Sequence, residues 1–225
     1  MKAFYYILLI DLILVGPITA DSGSTSRHTG FRQFSIMASY INPTGLNRHS
    51  RDILNTHAIQ ASPPSIHYGG KLRYDYCPWR IHSRWNTGIS LEGIYYMSNV
   101  NFPPGQNYSG LSTDMGAVLI GPALYYEVIR HSDYIIRAGL ISELGLIHYA
   151  YQLIPSRSLS KIGSIVQIDV PVQVAIASSD RFRLMLDGGF HLFFSRDVRI
   201  DLAYPSPKTG LNAHGFYIGL SLSTY

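Results

Sequence analysis

From Phe34 onward the chain keeps returning to a period of two, with one phase apolar and the other polar or charged. Such alternation marks an extended strand whose two faces meet unlike surroundings, since successive side chains point to opposite sides. Eight segments show it: 34–40, 66–76, 85–95, 118–128, 136–146, 166–176, 182–194 and 216–222. In the second, Tyr68, Leu72, Tyr74 and Tyr76 alternate with His67, Lys71, Arg73 and Asp75; in the fourth, Leu119 and Ile129 blur the phase. Most segments run to about ten residues, the length of a tilted strand that crosses a membrane.

The links after the second, fourth and sixth segments are short, around PWRIH, HSD and SSD, and those after the first, third, fifth and seventh are long. Short turns on one rim and long loops on the other predict an all-β fold, an eight-stranded antiparallel up-and-down transmembrane β-barrel with both termini on the short-turn side. The loop at 42–64 includes RDILNTHAIQ, which reads as a helical turn or two, and SRDVRIDLAYPSPKTG continues the phase of the seventh strand as a hairpin arm. A replacement such as Ser50→Arg in the first loop is expected to be tolerated.

The polar phase collects the candidate site residues: Lys71, Arg73, Asp75, Glu92, Glu127, Arg137, Glu143, Asp169, Arg183 and Asp187, with Gln167, Gln173, His67 and His191. An Arg or Lys facing hydrocarbon near the midplane costs about 2–4 kcal/mol, so this phase lines a lumen or faces water. Alternation alone leaves two barrels open: a membrane barrel with its apolar phase outward, and a soluble lipocalin-like, ligand-binding barrel with that phase inward. Strand length, the pattern of connections and the placement of Tyr40, Tyr68, Tyr76, Trp85, Tyr95, Tyr126, Phe182, Phe194 and Phe216 near strand ends favour the first. Eight strands leave room only for side chains, so the six acids and four bases are expected to fill a closed lumen as a structural ion-pair network.

Composition narrows the picture further. The 225 residues carry a net charge of +4, with 14% charged and 46% hydrophobic residues, a balance that does not call for nucleic acid. Residues 1–20, MKAFYYILLIDLILVGPITA, read as a cleaved signal peptide, 21–30 as a short leader and 31–225 as the barrel domain. The lone cysteine, Cys77, excludes an internal disulfide framework.

The segments YGGKLRYDYCPWRIHSRWNTGISLEGIYYMSN and VQIDVPVQVAI followed by FRLMLDGGFHLFF resemble the small bacterial outer-membrane β-barrel domain families, the eight-stranded OmpA/OmpX-type and porin-family proteins. The resemblance covers about residues 31–225 and implies a Gram-negative outer membrane, with outer-membrane lipid and the barrel-assembly machinery as partners and no cofactor or metal. Four long extracellular loops on a rigid scaffold lead to the expectation of a non-enzymatic, structural or surface-interaction role, without naming a ligand. Barrels of this kind end in an aromatic residue in the outward phase. Here Tyr225 falls one position out of register with Phe216, Ile218, Leu220 and Leu222, and a bulge near Ser223 would restore it.

The alternative function on the same barrel is a lipid-modifying acyl hydrolase or transferase using a rim His and Ser. The neighbouring pairs His49-Ser50, His82-Ser83 and His131-Ser132 are poor candidates, because adjacent strand residues face opposite ways and Ser132 and Asp133 are ordinary turn formers. His49 and His57 with Arg48, Arg51 and Asp52 form no metal-binding motif.

Overall fold

The computed structural model describes residues 30–224, apart from 196–210 and positions 45–46, 48–49, 52–53, 56–57, 60, 63–65, 83, 106, 131–133, 155–156 and 180. The signal segment, most of the leader, the arm at 196–210 and Tyr225 therefore lie outside the described residues. Eight strands account for most of the rest: β1 (Phe31–Pro43), β2 (His67–His82), β3 (Trp85–Asn101), β4 (Gly110–Arg130), β5 (Ile135–Ile154), β6 (Arg157–Ser178), β7 (Phe182–Ser195) and β8 (Leu211–Thr224). Each pairs antiparallel with its chain neighbours and β8 closes on β1, giving an up-and-down barrel without a free edge. Closure matters in hydrocarbon, where an unpaired backbone amide would find no water.

The apolar phase points outward. Along β1, Phe34, Ile36 and Tyr40 are exposed while Gln33, Ser35 and Ser39 are buried, and along β5 Leu144 is 64% exposed beside a fully buried Glu143. A soluble barrel with its apolar phase inward would show the reverse, so the lipocalin-like alternative is overturned by the exposure pattern. Trp85 and Tyr95 lie ten residues apart on β3, about 33 Å along the strand. At a tilt of about 40° that spans roughly 25 Å in height, the height of an apolar band.

Several strands are longer than their alternating segments, from 13 residues in β1 to 22 in β6. Above the band the polarity of the two faces exchanges. Leu111, Met115, Tyr149, Tyr151 and Leu153 turn inward and are buried, while Ser112, Asp114, His148 and Gln152 take the outward phase. The two-residue period thus continues with its apolar side facing in, as in a water-exposed sheet. This exchange corrects two of the expected long loops: β3 and β4 are separated by only 102–109, and β5 and β6 by only 155–156.

The first connection caps this extension. Thr44, Asn47, Ser50, Arg51, Leu54 and Asn55 are helical, and Leu54 and Ile59 are buried among the inward Tyr96, Met115, Tyr149 and Phe193. Ser50 is fully buried, so an Arg there would meet packed atoms and is not the neutral change expected.

On the opposite rim the expected PWRIH turn belongs to β2. Register shifts between Tyr76 and Trp79 and between Arg80 and His82 let the strand continue with Trp79 and Ile81 outward. A shift between Glu127 and Ile129 explains why Ile129 blurred the phase, since Val128 and Ile129 are both exposed. Among the described residues the expected bulge near Ser223 does not form: β8 keeps unbroken register to Thr224 against both neighbours, with Ser223 buried.

Candidate functional site: a charged network across the lumen

Alternation on β2 sends Lys71, Arg73 and Asp75 inward, and small inward residues on the neighbouring β1 and on β8 beyond it, Ser35, Gly215, Gly219 and Ser221, leave room for them. β2 and β6 stand on opposite sides of the eight-membered ring, yet their side chains meet. Arg73 is the hub: Nε lies 3.2 Å from Asp75 Oδ2, Nη1 3.1 Å from Asp169 Oδ2 and Nη2 2.6 Å from Asp187 Oδ2. Lys71 Nζ lies 3.0 Å from Asp169 Oδ2 and 3.1 Å from Glu92 Oε1. All of these side chains are fully buried, so each charge depends on its partners for what water would otherwise supply.

Neutral groups complete the layer. Gln167 Nε2 donates to Glu92 Oε1 at 2.8 Å and to Glu143 Oε2 at 3.0 Å, bridging two carboxyl groups. Asp187 Oδ2 also accepts from Gln173 Nε2 at 2.9 Å and Ser221 Oγ at 2.8 Å, and Tyr125 donates to Asp75 Oδ2 at 2.6 Å. The Tyr217 ring lies under the Lys71 ammonium at 4.3 Å, and its hydroxyl accepts from Arg73 Nη1 at 3.3 Å.

A second, smaller group sits toward the short-turn rim. Glu127 is buried and takes Arg80 at 3.3 Å, Arg130 at 3.4 Å and Arg137 at 4.0 Å. Arg137 lies 3.8 Å over the Phe31 ring and donates to Gln33 and Gln173.

Nine of the ten residues predicted for the lumen are therefore buried in it. Arg183 is corrected in place: it shares the inward phase of β7, but at the rim, where it is partly exposed and its Nε donates to Ser178 Oγ at 3.2 Å. Sequence reasoning missed Arg80, Tyr125, Tyr217, Ser35 and Ser221. The tyrosines carried a signal in falling on the polar phase, whereas Arg80 enters only because a bulge resets β2. The lumen is also less uniformly polar than expected, because above the charged layer it is filled by Ile94, Tyr96, Met115 and Phe193.

His67, high in the lumen, hydrogen-bonds Thr113 Oγ1 at 2.6 Å, and His191 Nδ1 lies 3.3 Å from Lys71 Nζ. His49, His57, Ser83, His131, Ser132 and Asp133 lie outside the described residues, as does the side chain of His82. Among the described residues no group of three or more His, Cys, Asp or Glu is arranged to hold a metal ion.

No protein-family model and no curated protein matches the chain. Among solved structures it is similar to Ail, the attachment invasion locus protein of Yersinia pestis, in complex with the heparin analogue sucrose octasulfate, at 10% identity over 87% of this chain and 99% of that one, TM-score 0.45. It is similar also to Neisserial surface protein A, at 14% identity over 86% and 95%, TM-score 0.47. The outer membrane protease OmpT of Escherichia coli aligns at 8% identity over 91% and 99%, TM-score 0.48. By its own strand order and the polarity of its two faces, the chain has the architecture of the small eight-stranded outer-membrane β-barrels.

Proposed function

We propose that the protein is a non-enzymatic integral outer-membrane barrel, a rigid scaffold whose lumen is closed by its own charges and whose outer hairpins and first connection serve structural or surface-interaction roles. The observation that supports it most is the division of β2: Lys71 and Arg73 meet carboxylates from the far wall, while the alternating Leu72 and Tyr74 face outward. Side chains from opposite walls touching at the axis leave no continuous path for ions, and a rigid ring that presents connections to solvent is a common platform for recognition. Outer-membrane lipid and the barrel-assembly machinery are its partners in this reading.

The test combines membrane fractionation with planar-bilayer recording on the purified, refolded chain. The reading predicts recovery with the outer membrane, faster gel migration before heating than after, and no steady ohmic current. A stable single-channel current would overturn the closed lumen. Lipid A mass spectra that are the same with and without the protein are expected, and a changed acylation pattern would overturn the non-enzymatic assignment.

A further inference from the structure

The short-turn rim carries a set of arginines that the lumen does not absorb. Arg84 and Arg181 are exposed, and Arg130 stays 48% exposed although one of its nitrogens reaches Glu127. Arg32, in the outward phase of β1, holds its guanidinium 5.2 Å over the Tyr76 ring. The one carboxylate described at this rim, Glu127, is buried and is already met by Arg80, Arg130 and Arg137; the turn residues Asp133 and Asp180 lie outside the described residues. These arginines stand at the level of Trp79, Trp85 and Tyr126, where Trp85 and Tyr126 pack with ring centroids 4.8 Å apart. Aromatic rings of this kind settle at the headgroup layer of a bilayer.

We propose that this rim is a collar that binds the phosphates of anionic phospholipids in the adjoining leaflet, an inference that rests on the membrane reading above. A guanidinium presents a planar fork of donors that matches two phosphate oxygens, and it tolerates an aromatic neighbour better than an ammonium does. No lysine falls among the described residues of this rim. Arg32 is held against the Tyr76 ring and Arg84 Nη1 donates to the Val128 carbonyl at 3.4 Å, which leaves further donors of each guanidinium for a phosphate.

The test uses the full barrel in nanodiscs of equal phosphatidylcholine and phosphatidylglycerol, with retained lipid counted by native mass spectrometry. The collar predicts enrichment of phosphatidylglycerol on the order of fivefold, corresponding to one well-placed guanidinium near the surface. Arg32→Gln, Arg84→Gln and Arg181→Gln together should return the shell to the bulk ratio, while the three Lys replacements should keep most of the enrichment. A bulk ratio for the wild type, or enrichment unchanged in the triple Gln variant, would overturn the proposal. Should the triple variant not fold, wild-type enrichment at high salt decides instead: its loss supports the collar and its persistence overturns it. Insertion into pure phosphatidylcholine with a heat-dependent gel shift checks the barrel reading separately, so a barrel that inserts without lipid preference fails the collar alone.

Discussion

Arg73 shows how much a single inward residue carries. Its three nitrogens meet Asp75, Asp169 and Asp187, so replacing it by Ala strands three buried carboxylates. Breaking a buried pair by removing one partner costs about 3–5 kcal/mol, and Arg73→Ala is expected to lower stability by at least that amount in urea titrations of the heat-modifiable form. Asn99→Gln, exposed near the end of β3, should shift the same curve by less than about 0.5 kcal/mol, the range for surface changes away from such features. An equal effect at both positions would mean that the network is not what holds the lumen together. Alternation made Arg73 and its partners readable from sequence, since it placed them on one face. It could not say which residues across the ring would meet, because register and the radius of the barrel decide that. Asp169 and Asp187, from two other strands, converge on Arg73 only after closure.

Along an element, close approaches decide what fits. The β5–β6 pairing lapses between Ala138–Val172 and Ile141–Asp169, and there Pro171 and Tyr125 occupy the space beside Gly139, where an added Cβ would come within 2.7 Å of either ring. A proline in a strand removes a ladder hydrogen bond, and the missing Gly139 side chain lets its ring pack instead. Gly139→Val should cost about 1–3 kcal/mol by overpacking and show a reduced folded fraction on refolding into detergent. Leu186→Arg, on the outward face of β7, should instead impair membrane assembly, at about 2–4 kcal/mol for a cation within the apolar band. Expression of Leu186→Arg beside Asn107→Arg in the exposed second outer connection checks this, and equal membrane yields would contradict the assigned faces. Strand ends were the least readable part of the sequence. At one rim bulges reset the phase, and at the other the apolar side exchanges faces, so Leu111 and Tyr149 looked like loop residues rather than an inward lining.

At the scale of the whole molecule, eight alternating segments and their order sufficed to read the closed ring. Register, the helical first connection with Leu54 and Ile59 in the outer mouth, and the apolar fill above the charges were not readable, because each depends on contacts between residues far apart in the chain. The central claim is that the protein is inside out: apolar side chains meet hydrocarbon and charges meet one another. Spin labels on single cysteines at Leu140, Ser142, Leu144 and Leu146, in a Cys77→Ser background reconstituted into vesicles, test it most directly. The account predicts relaxation enhanced by dissolved oxygen and barely affected by a water-soluble nickel chelate at all four sites. Strong relaxation by the nickel chelate, or no access to either reagent, would place those residues in water or in a packed interior and contradict it.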